Sequence, residues 1–347
     1  MYQSIFIGLL LIATGAFSSG SFAIPFSKIR EWNWESYWLV FSIGAYIIFP
    51  LTACLVFSPE FINVYKEVPF KILLAVFLLG GVYGIGNLSF GLSLRYLGIS
   101  LGYALSLGLM LAIGTLIPPL LDGRLKVMMD NSGGNLLIVG VLIAVVGIVL
   151  TGLAGFLKDK RISDTKKKES VSEFNFLKGV IAALIVGITG SAMALGFEQG
   201  LPIAKFAEQE GINPLFTIMP VMLVLLSGTF VTTLIWCIYL GITNKSLKDY
   251  IHSISAGRLS LNYLFALLSG FLWFSQFILF GMGKSKMGPF TFTSWGILMG
   301  LTIVFATLWG LYRKEWKGAP LKVYILMVIS LLIIITSSYI IGISGSL

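Results

Sequence analysis

Charged residues are scarce in this chain. They make up 11% of its 347 residues, whereas a soluble domain has about a quarter. Hydrophobic residues make up 57%, and the mean hydropathy is +0.93. This balance excludes a soluble globular protein and predicts an integral membrane protein.

The residues that build most catalytic and metal sites are equally rare. Histidine occurs once, at His252, and the two cysteines, Cys54 and Cys237, both lie inside apolar stretches, so no disulfide framework is implied. There is no metal-ligand spacing, no phosphate-binding loop and no nucleotide-binding domain. A membrane enzyme would need clustered His, Asp or Ser groups near one interface, and no such cluster occurs. We therefore expect no enzyme activity and no metal or other cofactor.

Ten long apolar stretches fill most of the chain instead. About 20 apolar residues in a helix span the hydrocarbon core of a bilayer, and a helix satisfies its own backbone hydrogen bonds there. The sequence therefore predicts an all-α membrane protein with ten transmembrane helices. Their expected positions are 4–24, 36–57, 71–95, 99–121, 134–157, 175–200, 215–242, 259–283, 289–312 and 321–343.

The basic residues indicate an orientation rather than a nucleic-acid partner. The net charge of +9 is spread between the apolar stretches, whereas a nucleic-acid-binding domain concentrates Lys and Arg on one face. Loops after odd-numbered stretches hold 17 of the 24 Lys and Arg residues, which places those loops in the cytoplasm. Both termini are then outside, and the lipid bilayer is the expected surrounding. The sequence indicates no oligomeric state.

A basic linker over 158–174, expected to be cytoplasmic, divides the chain into two halves of five helices, 1–157 and 175–347. An odd number of helices per half means that the second half enters the membrane from the opposite side. A shift of 190 residues pairs Gly80 with Gly270 and Tyr83 with Trp273, which favours an inverted repeat of five plus five helices. Secondary transporters often have this architecture, with the substrate near the midplane between the repeats.

Polar residues within the apolar stretches are the candidate binding groups, because such residues are costly in a membrane. Tyr83 and Asn87 are four apart in the third stretch and share a helical face, as do Trp273 and Gln276 in the eighth. An aromatic ring can stack on apolar C–H faces while an amide offers a donor and an acceptor to hydroxyls, which suits a small polyol. The alternative is that both amides are hydrogen bonds between helices.

Glu198, near the end of the sixth stretch, is the carboxylate nearest to a spanning position. A partly buried carboxylate can take up and release a proton, which makes Glu198 the candidate proton carrier. The alternative is an interfacial glutamate within reach of water, because Pro202 follows soon after.

Several segments resemble the L-rhamnose–proton symporter family. The most specific are Phe22-Ala23-Ile24-Pro25-Phe26-Ser27-Lys28 with Trp32-Asn33-Trp34-Glu35, and Gly84-Ile85-Gly86-Asn87 running through Arg95-Tyr96-Leu97-Gly98 to Gly114-Thr115-Leu116. Weaker matches are Gly133-Gly134, Asn213-Pro214-Leu215, Trp273 with Gln276-Phe277, Ser294-Trp295 and Lys314-Glu315-Trp316. The resemblance covers essentially the whole chain.

The resemblance implies a ten-helix carrier of the drug/metabolite transporter type in a bacterial inner membrane. Such a carrier takes up a deoxyhexose, L-rhamnose in the named family, together with a proton. Tyr83, Asn87, Trp273 and Gln276 would then hold the sugar. The chain departs from the family pattern at Glu198 and over Gly283–Phe292. The alternatives are a transporter of another sugar or small metabolite, and a membrane sugar sensor that does not transport.

Overall fold

The structure is a computed structural model that describes residues 2–121, 132–161, 173–252, 255–287 and 294–344. Over these residues the chain is helical and contains no strand. Most of the predicted linker, and the first residues of the predicted ninth helix, lie outside the described residues. The α-helices are α1 Tyr2–Ser21, α2 Trp34–Ile43, α3 Phe49–Phe57, α4 Phe61–Glu67, α5 Phe70–Leu97, α6 Ile99–Leu121, α7 Ser132–Arg161, α8 Phe176–Gly190, α9 Ala192–Gln199, α10 Leu201–Gln209, α11 Ile218–Thr243, α12 Ala256–Lys284, α13 Ser294–Tyr312 and α14 Leu321–Ser344.

The helices have the length and composition of membrane spans. Within the described ranges, nine helical stretches are long and apolar enough to cross a bilayer, and Ile99–Ile113 is a shorter apolar helix. This confirms the prediction of an all-helical protein with about ten transmembrane helices. The inverted relation between the two sequence halves stays a prediction.

Two of the predicted helices are interrupted. The second contains a π-helical segment, Gly44–Ile48, between α2 and α3. The sixth breaks at Ser191 and again at Gly200. Pro202 lies in the first turn of α10, where its missing N–H removes no hydrogen bond, so this proline begins a helix instead of only ending one.

The contacts divide the chain into two compact units. The first consists of Met1–Gly20, Gly86–Ser191 and Met282–Leu347, and the second of Ser21–Ile85 and Ala192–Gly281. Each unit takes segments from both sequence halves. The units are therefore a different division of the chain from the one predicted at the linker.

Glycines bring helix backbones together inside the second unit. A Cβ on Gly80 of α5 would collide with the carbonyl group of Leu225 on α11, and one on Gly228 of α11 would collide with that of Phe77. The Thr229 hydroxyl donates a hydrogen bond of 2.9 Å to the Gly80 carbonyl oxygen. Close packing of small residues with hydroxyl bonds across the interface is typical of membrane helices.

In the first unit, α7 packs along α14 in the same way. A Cβ on Gly140 or Gly147 would lie 2.8 or 2.7 Å from the side chain of Ile341 or Ile334. The Ser337 hydroxyl donates a hydrogen bond of 2.8 Å to the Gly140 carbonyl oxygen.

Candidate functional site

Six buried aromatic residues form a continuous series of ring contacts inside the second unit, which we call the aromatic chain. Its members are Trp34, Trp38, Phe41, Tyr46, Trp273 and Phe277. Ring centroids are 5.0 Å apart for Trp34 with Trp38 and for Trp38 with Phe41. Tyr46 and Phe41 lie 5.3 and 6.3 Å from Trp273, and Phe277 lies 5.3 Å from it. Edge-to-face and offset contacts at these distances are the geometries that aromatic pairs prefer.

Local sequence positions these rings. Trp34, Trp38 and Phe41 are spaced four and three residues apart, so they share one face of α2. Tyr46 follows in the π-helical segment, a feature that is frequent at functional sites. A Cβ on Gly270 of α12 would lie 2.9 Å from the Phe41 carbonyl oxygen, so only glycine allows α12 to bring Trp273 this close to α2.

Of the predicted site residues, Trp273 contacts Tyr46, and Tyr83 lies in the same unit. Tyr46 packs edge-to-face against the indole of Trp273, with the ring centroids 5.3 Å apart. All three side chains are buried. The sequence analysis missed Tyr46, Phe41 and Trp38, although the spacing of Trp34, Trp38 and Phe41 on one helical face was a readable signal.

Gln276 lies one helical turn after Trp273 and is buried. Its Nε2 donates a hydrogen bond of 2.8 Å to the Trp273 carbonyl oxygen. That bond lies within α12 and ties the amide to the backbone at Trp273 rather than joining two helices. Asn87 is also buried, but it belongs to the first unit whereas Tyr83 belongs to the second.

The carboxyl group of Glu198 is not enclosed. It lies at the end of α9, and its side chain is exposed. The buried carboxylates of the described residues are Glu35, Asp249 and Glu315. The sequence analysis missed all three as buried groups, because they lie at the ends of apolar stretches where acidic residues usually face water.

Glu35 and Asp249 anchor the segment after α11 to the start of α2, within the second unit. The Ser246 hydroxyl and the Asn244 amide donate to Glu35 Oε1 at 2.6 and 2.9 Å. The Asn33 backbone N–H and the Ser36 hydroxyl each donate to Asp249 Oδ2 at 2.8 Å. Neutral groups therefore donate to one oxygen of each carboxylate. Burial also raises the pKa of the adjacent Tyr250 phenol.

Glu315 caps the start of α6 within the first unit. Its Oε1 and Oε2 accept hydrogen bonds from the backbone N–H groups of Ile99 and Ser100 at 2.8 and 3.0 Å. The Lys158 ammonium lies 5.1 and 5.0 Å from the ring centroids of Phe174 and Trp316. Burial raises the pKa of the Glu315 carboxyl, and the two N–H groups and the positive charges of Lys158 and Arg313 oppose this shift.

A second charged contact, between Arg95 and Glu173, lies close to the start of α6 in the sequence. Arg95 donates from Nε and Nη2 to the two carboxylate oxygens of Glu173, both at 2.8 Å. Such a bidentate pair fixes the guanidinium in place. No group of three or more His, Cys, Asp and Glu side chains that could hold a metal ion occurs in the described part of the chain.

Comparisons with known proteins agree with this picture of a helical carrier. No solved structure matches the chain. A family model described as L-rhamnose-proton symport protein (RhaT) matches residues 1–346. The chain is 32% identical to the L-rhamnose-proton symporter of Yersinia pestis (strain Pestoides F) and to that of Yersinia pseudotuberculosis serotype O:1b (strain IP 31758), in each case over 346 residues that cover 99% of this chain and 98% of the relative. The chain therefore belongs to the L-rhamnose-proton symport protein family.

Proposed function

We propose that this chain imports L-rhamnose together with a proton. The observation that carries the proposal is the family match, which extends over residues 1–346 and so includes every transmembrane helix. Family membership makes the chain a transporter rather than an enzyme. Sugar and protons are its proposed substrates, and the bilayer is its surrounding.

The aromatic chain and Gln276 support a sugar site in the second unit. L-Rhamnose is a 6-deoxyhexose, so it has a methyl group and C–H faces that pack on aromatic rings, and hydroxyls that need hydrogen-bond partners. Trp273, Tyr46 and Tyr83 supply rings and phenol groups, and Gln276 supplies an amide. We assign sugar binding to Tyr83, Trp273 and Gln276, with Tyr46 as an addition that the geometry favours.

Asn87 is a separate part of the proposal. We expect Asn87→Ala to weaken sugar uptake without loss of the protein from the membrane, because the amide would no longer meet a hydroxyl. The measurement is the rate of uptake of labelled L-rhamnose, normalised to the amount of protein in the membrane. An unchanged rate would mean that Asn87 has a packing role.

Glu198 is our proposed proton carrier. It lies within the helical stretch Phe176–Gln209, which has the composition of a membrane span. Carboxylates within membrane-spanning segments are costly and often mark proton relays in transporters.

We further propose a bacterial inner membrane location with both termini outside, on the distribution of basic residues. Fusions of alkaline phosphatase and of green fluorescent protein to the C-terminus test the orientation. An external terminus gives an active phosphatase and a dark fluorescent protein, and the reverse pattern contradicts the proposal.

The decisive experiment is accumulation of labelled L-rhamnose by the purified chain in proteoliposomes. We expect accumulation only with an inward proton gradient, and its loss when a protonophore is added. Accumulation of a different sugar would indicate a relative with another substrate. Binding of L-rhamnose without accumulation by folded protein would instead indicate a sensor.

A further inference from the structure

The indole N–H of Trp38 is a buried hydrogen-bond donor that has no acceptor. Of the side chains that the structure describes, four have a buried polar atom without a hydrogen-bond partner: Trp32 Nε1, Trp38 Nε1, Ser294 Oγ and Thr307 Oγ1. An unsatisfied buried donor costs free energy, so each case calls for an explanation. Ser294 and Thr307 lie on α13 in the first unit, apart from the aromatic chain.

The surroundings of the two tryptophans differ. Trp32 makes edge-to-face contacts with Tyr263 at 4.8 Å and with Tyr250 at 5.9 Å, an arrangement in which a ring face can weakly accept an N–H. Trp38 is 1% exposed and stacks on Trp34 with 17° between the rings. Its other ring contacts, with Phe26 and Phe41, are tilted at 43° and 45°. Among the described residues, none of these three rings meets the Trp38 indole in an edge-to-face arrangement.

The position of Trp38 links it to the proposed sugar site. Phe41 alone separates it from Trp273 along the aromatic chain, because Phe41 contacts both indoles. Trp34, Trp38 and Phe41 share one face of α2, so the aromatic chain that contains Trp273 continues along this helix. A pyranose that packs on these rings brings hydroxyl oxygens to the ring edges, where an indole N–H can donate to them.

We propose that the indole N–H of Trp38 donates a hydrogen bond to a hydroxyl of the transported sugar and thereby sets the affinity for it. Trp38 is then a substrate-binding residue in addition to Tyr83, Trp273 and Gln276. The inference rests on the proposed function, because it takes the ligand to be a pyranose sugar. Its chemistry requires only a neutral donor and a hydroxyl acceptor, and it involves no change of protonation.

The test compares Trp38→Phe with Trp32→Phe in proteoliposomes that contain the full chain. Both substitutions remove an indole N–H that has no nitrogen or oxygen acceptor, and the same ring volume, from the same unit, so Trp32→Phe is a matched control. We expect Trp38→Phe to raise the KM for L-rhamnose about three- to tenfold, the worth of one neutral hydrogen bond. We expect Trp32→Phe to leave KM unchanged. An equal change in both variants, or none in either, would overturn the inference.

A second variant separates the N–H from the shape of the ring. Replacement of Trp38 by 3-benzothienylalanine, through suppression of a stop codon, keeps a bicyclic ring and substitutes sulfur for the N–H. We expect this variant to show the same rise in KM as Trp38→Phe. A wild-type KM would assign the effect of Trp38→Phe to packing and overturn the inference.

Sugar analogues identify the hydroxyl that accepts the bond. Against L-rhamnose analogues that lack the hydroxyl at position 1, 2, 3 or 4, the loss caused by Trp38→Phe should disappear for one analogue and persist for the others, as a thermodynamic cycle requires. An equal loss for all analogues would overturn the inference. If the wild-type chain accumulates no L-rhamnose, the proposed function fails, and the same variants are compared with the sugar that a panel of aldoses shows to be transported. If no sugar of the panel is transported, the inference fails as well.

Discussion

At the scale of single residues, the Gln276 amide tests whether a buried polar group binds the sugar or stabilises helix packing. Its Nε2 bonds within α12 to the Trp273 carbonyl oxygen at 2.8 Å, so this bond does not join helices. We expect Gln276→Met, which keeps the length and approximate volume of the side chain, to raise the KM for L-rhamnose about three- to tenfold through loss of one hydrogen bond. Uptake rates at increasing sugar concentration measure this.

The exposed residue Gln199 supplies the control for Gln276. Gln199 lies at the end of α9, and Gln199→Met should leave KM unchanged. A variant Gln276→Met that unfolds at a lower temperature but keeps the wild-type KM would mean that the amide stabilises helix packing and does not meet the sugar.

Glu315 should give the stability of the protein a distinctive pH dependence. Burial raises its pKa in the folded protein, so the folded state binds this proton more tightly than the unfolded state. The group therefore contributes most stability below its unfolded pKa of about 4.3, and the contribution is lost as the pH rises through the folded value. Relative to Glu315→Gln, the wild type should gain stability as the pH falls through the raised folded pKa towards the unfolded pKa of about 4.3.

Thermal unfolding in detergent at several pH values measures this difference. The exposed residue Glu60 provides the control, since Glu60→Gln removes a carboxylate that is hydrogen-bonded to Asn63 at the surface. A constant difference between wild type and Glu315→Gln across the pH range would show that Glu315 does not bind the proton more tightly in the folded state.

At the scale of helices, the contact between α5 and α11 depends on two neighbouring glycines to very different degrees. A Cβ on Gly80 would collide with the Leu225 backbone, whereas a Cβ on Gly81 would lie 3.4 Å from Thr232 Oγ1, an ordinary contact. We expect Gly80→Ala to destabilise the protein by about 1–3 kcal/mol through overpacking, and Gly81→Ala to have little effect. The unfolding temperatures of Gly80→Ala and Gly81→Ala, measured under the same conditions, test this difference. Equal unfolding temperatures would contradict the backbone contact.

The helices were predictable from the sequence because a chain that crosses a membrane has few possible secondary structures. Runs such as 99–121 and 321–343 end within a residue or so of the observed helices α6 and α14, since lipid requires each backbone group to bond within its own segment. The π-helical segment Gly44–Ile48 and the break at Ser191 were not predicted. Both depend on packing around residues whose apolar character resembles that of any other spanning helix.

The candidate site was predictable only in part. Tyr83, Trp273 and Gln276 stood out as polar or amphipathic residues inside apolar runs; all three are buried in the second unit, and Trp273 contacts Tyr46. Tyr46 itself did not stand out, because a tyrosine in a membrane span is common. The buried carboxylate Glu315 was missed for a different reason: its partners, Ile99 and Ser100, are 216 and 215 residues away along the chain.

At the scale of the whole molecule, coupling of sugar to protons requires a group that is protonated on one side of the membrane and deprotonated on the other. Glu198 is our candidate, and glutamine imitates its protonated form permanently. We expect Glu198→Gln to lose proton-driven accumulation of L-rhamnose while it still exchanges labelled for unlabelled sugar, because exchange moves no net charge and needs no proton release. Proteoliposomes with and without a proton gradient separate the two activities.

The exposed residue Glu210, which follows α10, supplies the control for Glu198. Glu210→Gln should accumulate sugar as the wild type does. If Glu198→Gln also accumulates sugar normally, the proton is carried elsewhere. The buried carboxylates Glu35, Asp249 and Glu315 are then the next candidates, and among them the raised pKa of Glu315 makes that residue the first to replace. A loss of both accumulation and exchange in a folded Glu198→Gln would instead assign Glu198 to the transport cycle itself rather than to the proton.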